Sequence, residues 1–232
     1  MITNYWLEKG ISALLLLLVV ILGYLSFGYP LYFDQLTLFV LVGSLALYKL
    51  DQNLASIAFI ILLVRILNEV LFAYEGVYQD FLFYLGSFLF AYKFKFDSQV
   101  KRVLIPLLTA CCLAHIYWYF IEYEGPHLGI YVLAVALNCL LRYLLMFRAH
   151  LTTKLPYLNL SGITLDYDIY RLASFSNILI SLMVIEYLIR HLTPLNPLIV
   201  YETYSYALQV ILLFIPYFFL SYFVKSKFRL YA

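Results

Sequence analysis

The sequence predicts an all-α fold, a polytopic transmembrane bundle of about eight spans with amino and carboxyl termini cytoplasmic. Three observations predict it. First, 65% of the 232 residues are hydrophobic and only 12% are charged. An average soluble domain carries roughly 25% charge, so this chain lacks the polar side chains to cover a water-facing surface. Second, the apolar residues gather in runs of about 20, the length that crosses ~30 Å of hydrocarbon at 1.5 Å per residue. Third, the cationic residues fall almost wholly in alternate loops, the asymmetry that sets orientation. Mean hydropathy is +0.91, which also excludes disorder. A membrane barrel would alternate apolar and polar residues, whereas Leu14 to Val20 is a continuous apolar run.

The first span covers 11–28. It is longer than a signal-peptide core, and no small-x-small cleavage site follows it, so it reads as retained. Pro30 separates it from 31–49, and Gly76 separates 54–73 from the short run 77–92. The fifth span, 103–121, has Pro106 in its first turn, where the missing amide proton costs little. Gly125-Pro126 splits it from 128–147. The seventh span is 172–189; Pro194 and Pro197 precede the eighth, 204–224, in which Pro216 predicts a kink. The alternative is six or seven spans, with 77–92 or 31–49 re-entrant. The longest connection, 148–171, reads as a cytoplasmic loop on the membrane surface. Residues 1–232 therefore form a single integral membrane domain with no soluble domain.

Eight spans place 12 of the 15 Lys and Arg residues on the side of the termini. Only Arg190 falls opposite, and Arg65 and Arg142 fall inside spans. That side is cytoplasmic by the positive-inside rule, which suits a multi-pass protein of the inner (plasma) membrane. Trp118 and its flanking tyrosines close the fifth span as interfacial anchors. With 24 Tyr and 19 Phe, many aromatic rings must also pack between helices, and a buried tyrosine hydroxyl needs a partner.

A charge at mid-bilayer costs about 2.5–3.5 kcal/mol, so polar residues there face the bundle interior or a wet cavity. Arg65 and Glu69 are four apart and can pair on one helix face, with Asn68 beside them. Glu186 and Arg190 share the same spacing and can pair at the outer interface. His115 is the lone histidine inside a span. It either packs through a hydrogen bond or relays a proton. Counting 1.5 Å per residue from span midpoints, Arg65 lies roughly 3 Å outward, His115 about 4–5 Å, and Glu69, Glu186 and Gln209 about 8–9 Å. One polar layer in the outer half is expected, with Arg65, Asn68, Glu69, His115, Glu186 and Gln209 as ligand-binding candidates. Asn138, Arg142 and Asn177 read as structural or inner-side polar groups, and Arg142 has a stem long enough to snorkel.

The chain has no zinc-protease, P-loop, dinucleotide or nucleophile-elbow motif. No catalytic residue, metal or cofactor is assigned. Asp166-Tyr167-Asp168 reads as part of the solvated loop, and the sequon Asn159-Leu160-Ser161 falls on the cytoplasmic side. Cys111, Cys112 and Cys139 read as small buried hydrophobes rather than a disulfide set. A net charge of +2 without a basic stripe excludes nucleic acid as a partner. The partners expected are the lipid bilayer and either a second membrane protein or another copy of this chain.

Three functions fit this composition. The first is a small transporter, channel or receptor-like protein that binds a solute, ion or lipid headgroup in the outer polar layer. The second is a non-catalytic membrane subunit of accessory, assembly or immunity type. The third is an intramembrane enzyme on a lipid-linked substrate, with Cys111 or Cys112 as nucleophile or Glu69 and His115 as an acid–base pair. Helix order alone does not select among them.

Overall fold

The computed structural model describes residues 2–73, 79–123, 125, 127–151 and 160–229. Among them the chain is helical, with no strand. The α-helices are α1 (Ile2–Ser26), α2 (Pro30–Ala46), α3 (Gln52–Phe72), α4 (Gln79–Lys93), α5 (Ile105–Phe120), α6 (Gly129–Leu151), α7 (Thr164–Leu192) and α8 (Ile199–Arg229). Each apolar run coincides with one helix. Six are long and apolar enough to cross a membrane: α1, α3, α5 with the turn before it, α6, α7 and α8. The two shorter ones are α2, with 17 residues, and α4, with 15. Fifteen residues rise ~22 Å, less than the ~30 Å hydrocarbon core. These are the two runs whose crossing the sequence leaves open.

Local chemistry sets the helix starts. Asp51 accepts the amide proton of Leu54 at 3.0 Å and caps α3. Asp97 Oδ1 accepts the amides of Gln99 and Val100 at 2.8 and 3.1 Å. A widened π-helical turn, Val100–Leu104, then leads into α5. Pro30 opens α2. Pro216 lies inside α8, which continues past it to Arg229.

The chain divides into two compact units. One comprises Met1–Leu62, Leu144–Leu172 and Ser205–Ala232. Its core includes Phe33, Leu41, Ile57, Leu145, Leu165 and Phe219, and a buried charge sits within it. Arg148 is 2% exposed and Asp166 10% by side chain. The guanidinium has five N–H donors, and all five are used. Nε donates to Asp166 Oδ1 at 2.9 Å and Nη2 to Oδ2 at 2.7 Å. Nη1 donates to Asn53 Oδ1 and Ser56 Oγ, and Nη2 also to the Ser161 carbonyl. Asp166 is therefore not in a solvated loop, as its sequence context suggests. It stands in the first turn of α7 and neutralises a buried arginine. Likewise α6 runs on to Leu151 and α7 starts at Thr164, so both ends of the 148–171 stretch are helical. Hydropathy marks where a helix leaves oil, whereas a paired charge lets the helix continue beyond that point. Residue 159 of the sequon lies outside the described residues.

The other unit comprises Leu63–Tyr143 and Ala173–Tyr204. Its core is built on Trp118, Cys111, Leu104, Val132, Val135 and Val184. Arg142 does not snorkel: it is 2% exposed, and Nη1 donates to Asp97 Oδ1 at 3.2 Å. Asp97, itself half-buried, meets the guanidinium where it lies, so the stem need not reach water. Asn138 donates to Ser176 Oγ and Asn177 to Cys139 Sγ, both at 3.4 Å.

Glu186 does not pair with Arg190. Its carboxylate accepts the amides of Val200 at 2.7 Å and Tyr201 at 2.9 Å, capping the start of α8 from a neighbouring helix. Those amides lack partners within their own helix, and the positive end of its dipole favours an anion. Arg190 instead donates to Asn196 Oδ1 and lies over Tyr187 and Tyr201. Glu186→Ala is expected to cost about 1–2 kcal/mol, the usual loss for a helix cap. A thermal melt of the detergent-purified protein should fall by several degrees, with the amides of 200 and 201 losing exchange protection. Unchanged protection there would refute the capping role.

Candidate functional site

The candidate site is a cavity of about 620 Å³ between α4 and α5. Helix α4 buries Phe83, Ser87 and Ala91, a stripe at four-residue spacing that packs it against α5. The remaining faces stay apart. Hydrocarbon side chains line most of the gap, including Phe81, Leu85 and Phe88 from α4 and Leu113 and Ile116 from α5. The polar lining is confined to Asp80, Tyr84, Thr109, Cys112 and His115. Cys111 and Cys112, about 100° apart on a helix, separate here: Cys111 is buried and Cys112 half-buried against the cavity.

Asp80 organises the polar end. It lies in the first turn of α4, where the helix dipole favours a carboxylate. Its Oδ2 accepts His127 Nδ1–H at 2.6 Å, and its Oδ1 accepts the Gly129 amide at 2.9 Å. Gly129 opens α6, and a Cβ there would stand 2.7 Å from Asp80 Oδ1 and 3.0 Å from Asp80 Cα. Only glycine allows this approach. His115 Nε2 faces Asp80 Oδ2 at 3.6 Å, and the Tyr84 hydroxyl lies 3.1 Å from His115 Nδ1. The nearby carboxylate favours the tautomer with the imidazole proton on Nε2, in which Nδ1 accepts the Tyr84 hydroxyl proton. The His115 ring also meets Trp118 edge-on, 5.5 Å between centroids. His127, at 75% side-chain exposure, faces outward while Asp80 is mostly covered. Among the described residues, no group of three or more metal-ligating side chains is placed to hold an ion.

Of the six residues expected to bind a ligand, His115 lines this cavity. Arg65 and Asn68 are half-buried on α3, and Glu69 is exposed there. No ion pair joins Arg65 to Glu69 among the described residues. The Asn68 Oδ1 is buried without a hydrogen-bond partner among them. Glu186 caps α8. Gln209 belongs to the other unit, where its Oε1 accepts the amide of Gly28 at 3.1 Å. Gly28 sits at φ +85°, which glycine adopts without a steric penalty. Sequence reasoning missed Asp80, Tyr84, His127 and Gly129. Asp80 reads as an ordinary outer-loop charge, and Tyr84 is one of 24 tyrosines. The available signal was His127, one residue before a predicted span and thus a second histidine close to the membrane.

No protein family, curated protein or solved structure matches this chain.

Proposed function

We propose that this protein is a multi-pass protein of the plasma (inner) membrane that binds an amphiphile between α4 and α5. The hydrocarbon tail lies along Leu85, Phe88, Leu113 and Ile116, and the polar end meets Asp80, Tyr84 and His115. The observation that carries this reading is the cavity itself: about 620 Å³, open, apolar along its walls and polar at Asp80, Tyr84 and His115. That volume falls within the range of small-molecule sites, roughly 300–1,000 Å³, which are mostly apolar with a few placed polar groups. The bilayer lipid supplies its ligands, and receptor-like binding supports the reading better than ion conduction because the cavity walls are hydrocarbon.

A photoreactive probe with a diazirine-bearing alkyl tail tests this in native membranes. Crosslinks are expected to concentrate in residues 81–88 and 108–116 of the wild type. They should fall severalfold in Leu113→Trp, which fills the groove from an exposed position. Labelling spread evenly over all lipid-facing helices, or unaffected by the tryptophan, would refute the site.

One observation favours an enzyme as a second reading. Tyr84, His115 and Asp80 stand in the order hydroxyl, imidazole, carboxylate, the arrangement of an activated nucleophile. The His115 Nε2 to Asp80 Oδ2 separation of 3.6 Å is longer than a hydrogen bond, which supports binding over turnover. Release of product from an ester lipid by wild type but not by Tyr84→Phe would favour the enzyme instead.

A further inference from the structure

We infer that the polar end of the bound amphiphile carries a protonated amine. This rests on the amphiphile-binding reading above and specifies the ligand class. The argument is an inventory of donors and acceptors along the cavity. Asp80 supplies a carboxylate, which accepts only. With the His115 ring proton on Nε2 toward Asp80, the Tyr84 hydroxyl donates to Nδ1 across 3.1 Å, and its oxygen faces a ligand as an acceptor. Thr109 donates its proton to the Ile105 carbonyl at 2.9 Å, which leaves its oxygen as an acceptor too. His115 has its Nε2 proton toward Asp80 and its Nδ1 lone pair on Tyr84. The Cys112 thiol is a weak donor.

The lining therefore offers oxygen lone pairs and almost no protons. Its charge points the same way. Asp80 is the only Asp, Glu, Lys or Arg among the lining residues. His127 and the Gly129 amide occupy one lone pair on each Asp80 oxygen. His115 Nε2 faces a third site, on Oδ2 at 3.6 Å, and a carboxylate has about four, so one site, on Oδ1, remains for an ammonium group. A phosphate or fatty-acid carboxylate would bring acceptors to acceptors and a negative charge to a negative charge. A long-chain primary amine brings three donors and the opposite charge, and its tail matches the hydrocarbon walls.

Protection of Cys112 provides the readout, because Cys111 and Cys139 are buried and Cys112 lines the cavity. The full chain in phosphatidylcholine nanodiscs is treated with N-ethylmaleimide, and alkylation is followed by mass spectrometry of the peptides. Dodecylamine, dodecanol, dodecyl phosphate and tailless butylamine are the competitors. A charge-assisted hydrogen bond sets the expected scale: dodecylamine should slow Cys112 alkylation about tenfold or more. Dodecanol should slow it less, and dodecyl phosphate and butylamine should leave it unchanged. Asp80→Asn should bring dodecylamine down to the level of dodecanol. If that variant does not fold, Tyr84→Phe keeps the carboxylate, removes one acceptor and should weaken amine protection severalfold.

Protection by dodecyl phosphate equal to that by the amine would overturn the amine assignment while leaving the amphiphile site standing. Amine protection that is the same in Asp80→Asn, or in Tyr84→Phe where only that variant folds, would do so as well. Protection by none of the tailed compounds would overturn both.

Discussion

Arg148→Met is expected to be the most damaging single substitution, costing about 3–5 kcal/mol, the usual loss when one partner of a buried ion pair is removed. For a chain of this size that corresponds to roughly 6–20 °C in melting temperature. The loss has two parts. Asp166 is left as a buried anion, and the oxygens of Asn53, Ser56 and Ser161 lose their donor. Arg148→Lys should recover only part of the loss, because an ammonium cannot make the bidentate pair with Asp166. The coupling is the informative measurement. Adding Asp166→Asn to Arg148→Met should restore stability relative to the single arginine variant, since it removes the uncompensated charge. Purely additive losses in that double-mutant cycle would show that the two residues act independently and that the pair is not what holds α6 to the start of α7.

Gly129→Ala is the second large effect. The new methyl group would stand 2.7 Å from Asp80 Oδ1, 3.0 Å from Asp80 Cα and 3.2 Å from the Asp80 carbonyl oxygen. The shortest of these is to the side-chain oxygen, but the other two are backbone atoms in tighter than ordinary contact, so turning the carboxylate does not relieve them and the start of α4 must give by a few tenths of an ångström. Overpacking costs about 1–3 kcal/mol, and the hydrogen bond from the Gly129 amide to a charged acceptor weakens in addition. Amphiphile labelling of α4 and α5 should fall with it, because the same movement displaces Asp80 from His115. Gly86→Ala is the control. Nothing lies within 4 Å of its added Cβ, and inside α4 alanine is favoured over glycine by about 1 kcal/mol. That variant should melt at or above the wild-type temperature with unchanged labelling. If Gly129→Ala behaves like Gly86→Ala, the close seat of Asp80 on α6 is incorrect.

Arg142 and Arg148 show why so much of the fold is legible and so little of the site is. The helices follow from apolar runs and their breaks, which are local properties, and each run lies on one helix. In sequence both arginines lie toward the inner end of the sixth span, Arg142 within it and Arg148 just beyond it. Whether such a cation snorkels or stays buried depends on a distant carboxylate, Asp97 for one and Asp166 for the other. The same holds for Glu186. Its neighbour at four residues suggests a pair with Arg190, yet two unpaired amides of α8 are better partners for both of its oxygens. Spacing along one helix cannot weigh a partner that arrives from another.

The sequence by itself determined the all-helical, membrane-protein character and the apolar centre of each described helix, though not its ends, because transfer of apolar side chains out of water is additive along the chain and needs no knowledge of neighbours. Tertiary structure alone decided which polar groups meet. Asp80, Tyr84, His115, His127 and Gly129 come from two helices, a connection and the start of a third, and none is unusual in its own segment. Hydrogen bonds reach only about 3 Å, so the arrangement that gathers these ordinary residues around Asp80 is settled by how α4 meets α5 and the start of α6.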